Sequence, residues 1–305
     1  MTTRNILVTG ATGKQGGAVV RALLDHPPPF DYQILAVTRK STSASARSLA
    51  SNPKVTIIEG SLNDPESIFK KAGGIGAVWG VFCVTIPSFK KEVEDAEVTQ
   101  GNGLVDAAVA HDVKHFVYTS VDRGGSDQSD VYATEVPHFV SKYNVEKHLR
   151  EKARGTGMSY TILRPVAFME NLTPNLPGRI FATMWASLGD KPLQMVASKD
   201  IGIFAAQAFA ASEKEEYHNK AISIAGDELT QARANEIFWT VLGRPMPRSY
   251  NFMATLLKKM IPEMAKMFQW FADQGYGCDI FYCRQLNKDM LDFETWLREE
   301  SGFKR

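Results

Sequence analysis

Along the first half of the chain, short apolar runs alternate with stretches whose apolar residues recur at helical spacing. Ile6-Leu-Val-Thr9 is the first run, Gln33 to Thr38 the second and Val55 to Ile58 the third. Ala77 to Val84, His115 to Ser120 and Tyr160 to Leu163 complete six predicted strands. Between them, residues 17–24, 98–110 and 138–152 read as helices. Another opens at Asp64-Pro65, with an N-capping carboxylate followed by a proline at the first helical position. Strands that are apolar throughout are covered on both faces, and strand–helix repetition puts them in a parallel sheet. The pattern predicts an α/β fold: a doubly wound parallel Rossmann sheet with a smaller, mostly helical C-terminal domain.

After Arg164-Pro165 the pattern loosens. Pro165, Pro174, Pro177 and Gly178 mark loops, helices are expected over 200–211 and 229–242, and a short strand over 221–225. Residues 252–271 hold Met253, Met260, Met264 and Met267 among Leu256, Leu257, Ile261, Phe268 and Trp270. Two readings stay open there: an amphipathic helix pair packed on the core, or an adaptable apolar wall over a substrate pocket. The expected division is a dinucleotide-binding domain over 1–165 and a smaller substrate or lid domain over 166–305, with segments near 198–226 packing back onto the first.

Composition narrows the partners. A formal net charge of +1, with both signs interspersed and no basic tail, speaks against a nucleic-acid-coating surface. No run of about 18 apolar residues is present, so no membrane span is expected. No charged-then-apolar signal region precedes the first strand, which points to the cytoplasm, with the nucleus open for a regulator. Cys83, Cys278 and Cys283 lack the paired spacing of a zinc site or a disulfide framework. They read as reduced packing residues, and no metal is expected.

The chemistry begins at Gly10-Ala11-Thr12-Gly13-Lys14-Gln15-Gly16, after the first strand and at the start of the first helix. Glycine lets a backbone turn tightly and approach a pyrophosphate, whose charge the helix N–H groups and dipole then hold. The second strand ends not in the acidic residue that binds the ribose hydroxyls of NAD but in Thr38-Arg39-Lys40, followed by Ser41 and Ser43. A guanidinium there pairs with a 2′-phosphate, and the serines add donors. The expected cofactor is NADP(H).

These segments resemble the NmrA-like family of atypical short-chain dehydrogenases/reductases. The likeness rests on "NILVTGATGKQGGAVVRALL", "TRK", "GSLNDPESI", "FCVT", "HFVYTS", "HFVSKYNVEKHL", "ILRPVAFMENL", "SKDIG" and "WFADQGYGCDI". The resemblance implies that Gly10 to Gln15 wrap the pyrophosphate and Arg39 meets the 2′-phosphate. It implies that Ser61 and Leu62 lie by the adenine, where relatives commonly carry Asp-Leu, and that Val84 and Thr85 line the cofactor. It further implies that Lys142 reaches the nicotinamide ribose, while Val166, Phe168, Glu170 and Asn171 close over the nicotinamide end.

Two overlapping pairs compete for the proton-relay position of such reductases. Tyr143 and Lys147 have the usual residue types, whereas His138 and Lys142 have the spacing with histidine in place of tyrosine. Lys142 and Lys147 are five residues apart, so on a helix they point about 140° apart and cannot both face one cofactor. The context Ser141-Lys142-Tyr-Asn-Val-Glu146 resembles that of the family's lysine, and Lys147 lies in a charged run. Lys142 is therefore the expected cofactor lysine. His138 is left between packing or cofactor contact and proton transfer, and Ser120 is expected to orient a carbonyl. Two functions remain open. One is an NADPH-dependent reductase of a small apolar carbonyl, quinone or enone; the other is a non-catalytic NADP(H) sensor that regulates a partner protein. Oligomerisation is open in both.

Overall fold

A computed structural model describes residues 3–85 and 96–304; the outer limits of the two expected domains, Met1 and Arg305, lie outside the described residues. The six expected strands are β1 (Arg4–Val8), β2 (Tyr32–Thr38), β3 (Val55–Glu59), β4 (Gly80–Cys83), β5 (His115–Thr119) and β6 (Ser159–Pro165). The helices among them are α1 (Lys14–Asp25), α2 (Ala44–Ala50), α3 (Pro65–Lys71), α4 (Ala96–Ala110), α5 (Ser126–Val131) and α6 (Pro137–Ala153). The chain continues through β7 (Ala167–Phe168), α7 (Leu176–Ala186), β8 (Leu193–Val196), α8 (Ser198–Ala210), β9 (Lys220–Ile224) and β10 (Asp227–Leu229). It ends in α9 (Gln231–Leu242), α10 (Asn251–Met260), α11 (Pro262–Asp273), α12 (Ile280–Leu286) and α13 (Phe293–Glu299).

A seven-stranded sheet has the order β3-β2-β1-β4-β5-β6-β9, and its pairings are parallel from β3 through β6. This is the doubly wound Rossmann arrangement. The strand order reverses between β1 and β4, where the C-terminal strand ends leave a crevice.

The chain divides into two compact units. The first comprises Met1–Ser120, Val140–Arg164 and Ile201–Ile222; the second comprises Val121–Phe139, Pro165–Asp200 and Ser223–Arg305. In the first unit, Phe69, Val81, Leu104, Val105, Phe116, Val145 and Leu149 form a fully buried layer. Helix α3 begins as its sequence requires: the Asp64 side chain accepts the Ser67 N–H at 3.1 Å, with Pro65 in the first turn.

One buried polar side chain gives this unit a pH signature. His115, in β5, hydrogen bonds Ser159 Oγ at 2.8 Å through Nδ1 and Thr161 Oγ1 at 3.1 Å through Nε2. Burial, helped by nearby His218, pushes its pKa down to about 3 from 6.5. The folded protein keeps His115 neutral while the unfolded chain protonates it below 6.5, so its contribution is present above 6.5 and is lost as pH falls toward 3. Asp200 slopes the opposite way: burial raises its pKa to about 7, so its contribution weakens as pH rises from about 4 to 7. The expected result is therefore a difference. Thermal melts of His115→Gln should fall less steeply than wild type between pH 6.5 and 4, and parallel slopes would contradict the assignment.

The second unit has its own core and a three-stranded sheet, β10-β8-β7. Phe181, Trp185, Phe238, Phe268, Phe293 and Trp296 are buried together. Each such ring contributes roughly 1.5–3 kcal/mol on burial. The region expected as loops around Pro174 and Pro177 instead opens α7. Asn175 caps it by accepting the Gly178 N–H, and Pro177 occupies the first turn, where a missing N–H costs nothing. Residues 252–271 form the two helices α10 and α11, broken at Ile261-Pro262. Ala254, Phe268, Trp270 and Phe271 are buried in the core, with Leu257, Met264 and Met267 packed against it, whereas Phe252, Leu256 and Met260 face solvent. Among the described residues, no helix is long and apolar enough to cross a membrane.

Candidate functional site

In the first unit, the turn from β1 to α1 is built from backbone. Gly10 sits at φ +58°, and the Gly13 N–H returns to its carbonyl at 2.8 Å. A Cβ on Gly10 would lie 2.7 Å from Val84 Cγ1, and one on Gly16 would run into the carbonyls of Gly10 and Thr9. Thr9 fastens this turn to the end of β4, its hydroxyl accepting the Val84 N–H at 2.8 Å. Ala11 and Gly16 are buried, while Gly10, Thr12, Gly13 and Lys14 are exposed. Among the described residues no side chain caps α1 at Gly13, and no acidic residue lies in its first turn, so the positive end of the helix dipole meets no negative side chain among them. Gln15 is held by the Thr119 hydroxyl, which donates to Oε1 at 2.7 Å.

At the end of β2, Arg39 and Lys40 are exposed, and Arg39 makes no ion pair among the described residues. The serines that follow are committed. Ser41 donates its N–H, at 2.8 Å, and its hydroxyl to the Glu59 carboxylate. Ser43 caps α2 by accepting the Ala46 N–H at 3.2 Å. After β3, Ser61 and Leu62 are half-buried, and the Ser61 hydroxyl accepts the Asn63 N–H at 3.3 Å.

Beyond β4 and β5 lie two buried polar clusters that the sequence did not announce. Lys142 is 8% exposed, and its ammonium donates to Glu97 Oε1 at 2.8 Å; Thr85 donates to the same oxygen at 2.6 Å. Glu97 is 2% exposed, and its Oε2 has no hydrogen-bond partner among the described residues. Ser120 donates to Glu146, whose carboxylate also takes the Arg164 guanidinium at 2.6 Å. Cys83, beside the first cluster, is pushed up to about 12 by burial and stays a thiol. The lysines of the two overlapping pairs separate clearly: Lys142 is buried, whereas Lys147 is exposed with its ammonium 5.7 Å from the Tyr143 ring centre.

His138 belongs to the second unit. Its Nδ1 lies 2.5 Å from Glu263 Oε1, which also accepts the His138 backbone N–H at 3.0 Å. Glu263 thus satisfies one of the N–H groups that the start of α6 leaves open. Val166 is buried and its N–H reaches the Ile224 carbonyl at 3.2 Å; Phe168 pairs with Val196 in the small sheet. Glu170 Oε1 accepts the Ser198 N–H at 2.9 Å and the Trp296 indole N–H at 3.3 Å, and Asn171 is exposed.

The second unit also contains a cleft of about 460 Å³ lined by Gly124, Gln128, Tyr132, Gln274, Gly275 and Tyr276. That volume is within the range of small-molecule sites. Asp122 shapes it from behind. Its carboxylate accepts the N–H groups of Gly124, Gly125 and Gly277 at 3.0–3.1 Å and the Ser223 hydroxyl at 2.6 Å. Burial, with Asp122 nearby, raises the Tyr276 phenol well above its ordinary range, so it remains a neutral O–H.

The NmrA-like family pattern matches residues 2–297. The oxidoreductase FrzB of Cladobotryum sp. is 30% identical over 184 residues, 58% of this chain and half of that protein's length. A (4-alkanoyl-5-oxo-2,5-dihydrofuran-3-yl)methyl phosphate reductase of Streptomyces griseus is 30% identical over 243 residues, 79% of this chain and 75% of that protein. Among solved structures, the Citrobacter sp. triphenylmethane reductase complexed with NADP(H) superposes with a TM-score of 0.72 at 20% identity, covering 95% of this chain and 98% of the other. The negative transcriptional regulator NmrA superposes at 0.70 and 16% identity, covering 98% and 96%. The chain belongs to the NmrA-like family.

Proposed function

We propose that this chain is an NADPH-dependent reductase of a small apolar acceptor, a quinone or enone more than a simple ketone. The observation that carries the reading is the glycine-walled N-terminus of α1, which has no side-chain cap among the described residues, with Arg39, which makes no ion pair among them, at the end of the neighbouring strand. A backbone cradle that a Cβ would fill, together with that cation, fits a dinucleotide carrying a 2′-phosphate. When bound, the cofactor supplies the hydride. Gly10, Ala11, Thr12, Gly13, Lys14, Gln15 and Gly16 hold the pyrophosphate; Arg39 and Lys40, aided by Ser41 and Ser43, hold the 2′-phosphate; Ser61 and Leu62 flank the adenine. Val84, Thr85 and Lys142 serve the nicotinamide half. The reductases among the relatives support the reaction type.

The proton side favours the choice of acceptor. Lys142, Ser120 and His138 each have an acidic partner: Glu97, Glu146 and Glu263. The Ser120 proton points to a carboxylate, so it does not stand ready to protonate a carbonyl. Conjugated acceptors, which spread the incoming electron pair, depend least on a side-chain acid during hydride transfer. Glu97 holds the Lys142 ammonium in place, and in this reading Lys142 positions the cofactor.

The cofactor reading is tested by calorimetric titration. Gly13→Val puts a branched side chain where a Cβ would already lie 3.2 Å from the Gly10 carbonyl, on an exposed turn. NADPH and NADH should both bind wild type, NADPH more tightly. The variant should lose at least about tenfold for both while its melting temperature changes little. Wild-type protein that binds neither dinucleotide would end the proposal.

A further inference from the structure

At the ends of β2 and β3, one carboxylate occupies two hydrogen-bond donors of a single serine. Thr38 and Glu59 are register partners in the parallel pair, so the chain leaves both strands at the same level. One residue, Ser41, sends two donors to the Glu59 side chain, its backbone N–H at 2.8 Å and its hydroxyl. These hydrogen bonds hold the Glu59 carboxyl below its ordinary range, so it is charged at neutral pH. Lys71 is nearby, but its ammonium is bound to the Glu59 backbone carbonyl at 2.7 Å. Arg39 makes no ion pair among the described residues. A fixed anion and a cation with no ion pair among the described residues therefore share this strand end. An N–H and an O–H converging on one carboxylate are the same donors that a phosphate oxygen accepts.

We infer that Glu59 is a specificity-determining residue of the dinucleotide site, competing with the 2′-phosphate of NADP(H) for the Ser41 donors and so narrowing the preference for NADP(H) over NAD(H). The inference rests on the cofactor reading above. A cofactor with a 2′-hydroxyl leaves the Ser41–Glu59 contact in place. One with a 2′-phosphate displaces Glu59 from Ser41 and brings two like charges together, against which Arg39 works. The chain then discriminates less between the two cofactors than its arginine alone would allow.

The test is the pair of dissociation constants for NADPH and NADH, measured by titration calorimetry on the full chain, wild type and Glu59→Gln. Glutamine keeps the size and one acceptor oxygen and removes the charge, and the position is exposed, so the fold is not at risk. The expected result is NADPH binding tightened about fivefold or more, the scale of one unit charge removed at close range in water, with NADH changed less than about twofold. An NADPH-to-NADH preference that stays the same or shrinks, with wild type still binding NADPH, overturns the inference and leaves the cofactor reading intact. Failure of wild type to bind either dinucleotide overturns both.

Discussion

Arg39→Asp is expected to weaken NADPH binding about 100-fold or more while leaving NADH within a few-fold of wild type. A charge-assisted hydrogen bond contributes about 1.5–3 kcal/mol, and the new carboxylate adds like-charge repulsion of about 1 kcal/mol at close range in water. Together these amount to two to three powers of ten in affinity. NADH lacks the 2′-phosphate and avoids both losses. Arg39 is exposed and makes no ion pair among the described residues, so its removal breaks no salt bridge among them and the fold should be unaffected. Equal losses for both cofactors would remove Arg39 from the 2′-phosphate.

The second large effect concerns Lys142. Lys142→Ala removes the cation from a pair whose other member is almost wholly buried, leaving Glu97 charged with only Thr85 of its two described donors. Stranding a buried charge costs about 3–5 kcal/mol, so the variant should melt well below wild type whatever Lys142 does in function. Stability alone therefore does not decide its role. The double variant Lys142→Met with Glu97→Gln removes both charges and should recover most of the stability, because a neutral pair of similar volume leaves no unpaired ion. If Lys142 positions the cofactor for hydride transfer, turnover in the recovered double variant should stay at least about 100-fold down with NADPH still bound. Turnover that returns with stability would make the pair purely structural.

The sheet could be read from the chain because each of the strands β1 to β6 carries its apolar run as contiguous residues. The glycine turn was legible for the same reason: seven adjacent residues build it. Errors arose where one signal has two meanings. Pro174, Pro177 and Gly178 suggest a loop, yet Pro177 in a first turn after an asparagine cap is a helix start. The small sheet offered almost no periodicity, since β7 has two residues and β10 three. The polar partners were hidden by distance along the chain. Glu97 is 45 residues from Lys142, and Glu263 is 125 from His138. Neither glutamate differs in its local sequence from a surface glutamate, and only the folded chain brings these pairs together. A buried lysine in a helix does require a counter-charge, so the existence of an acidic partner was inferable, but not its position. The spacing of His138 to Lys142 left packing or cofactor contact and proton transfer both open, and the partner that its ring and backbone N–H share, a carboxylate at the start of α11, is 125 residues away.

Hydride transfer from NADPH to a conjugated apolar acceptor is tested most directly by the loss of nicotinamide absorbance when wild-type protein and NADPH are mixed with a panel of quinones, enones, aldehydes and aryl ketones. NADPH should be oxidised with at least one quinone or enone, faster than with any aryl ketone and slower with NADH. Tight NADPH binding without consumption by any member of the panel would contradict it and favour a dinucleotide sensor acting on a partner protein.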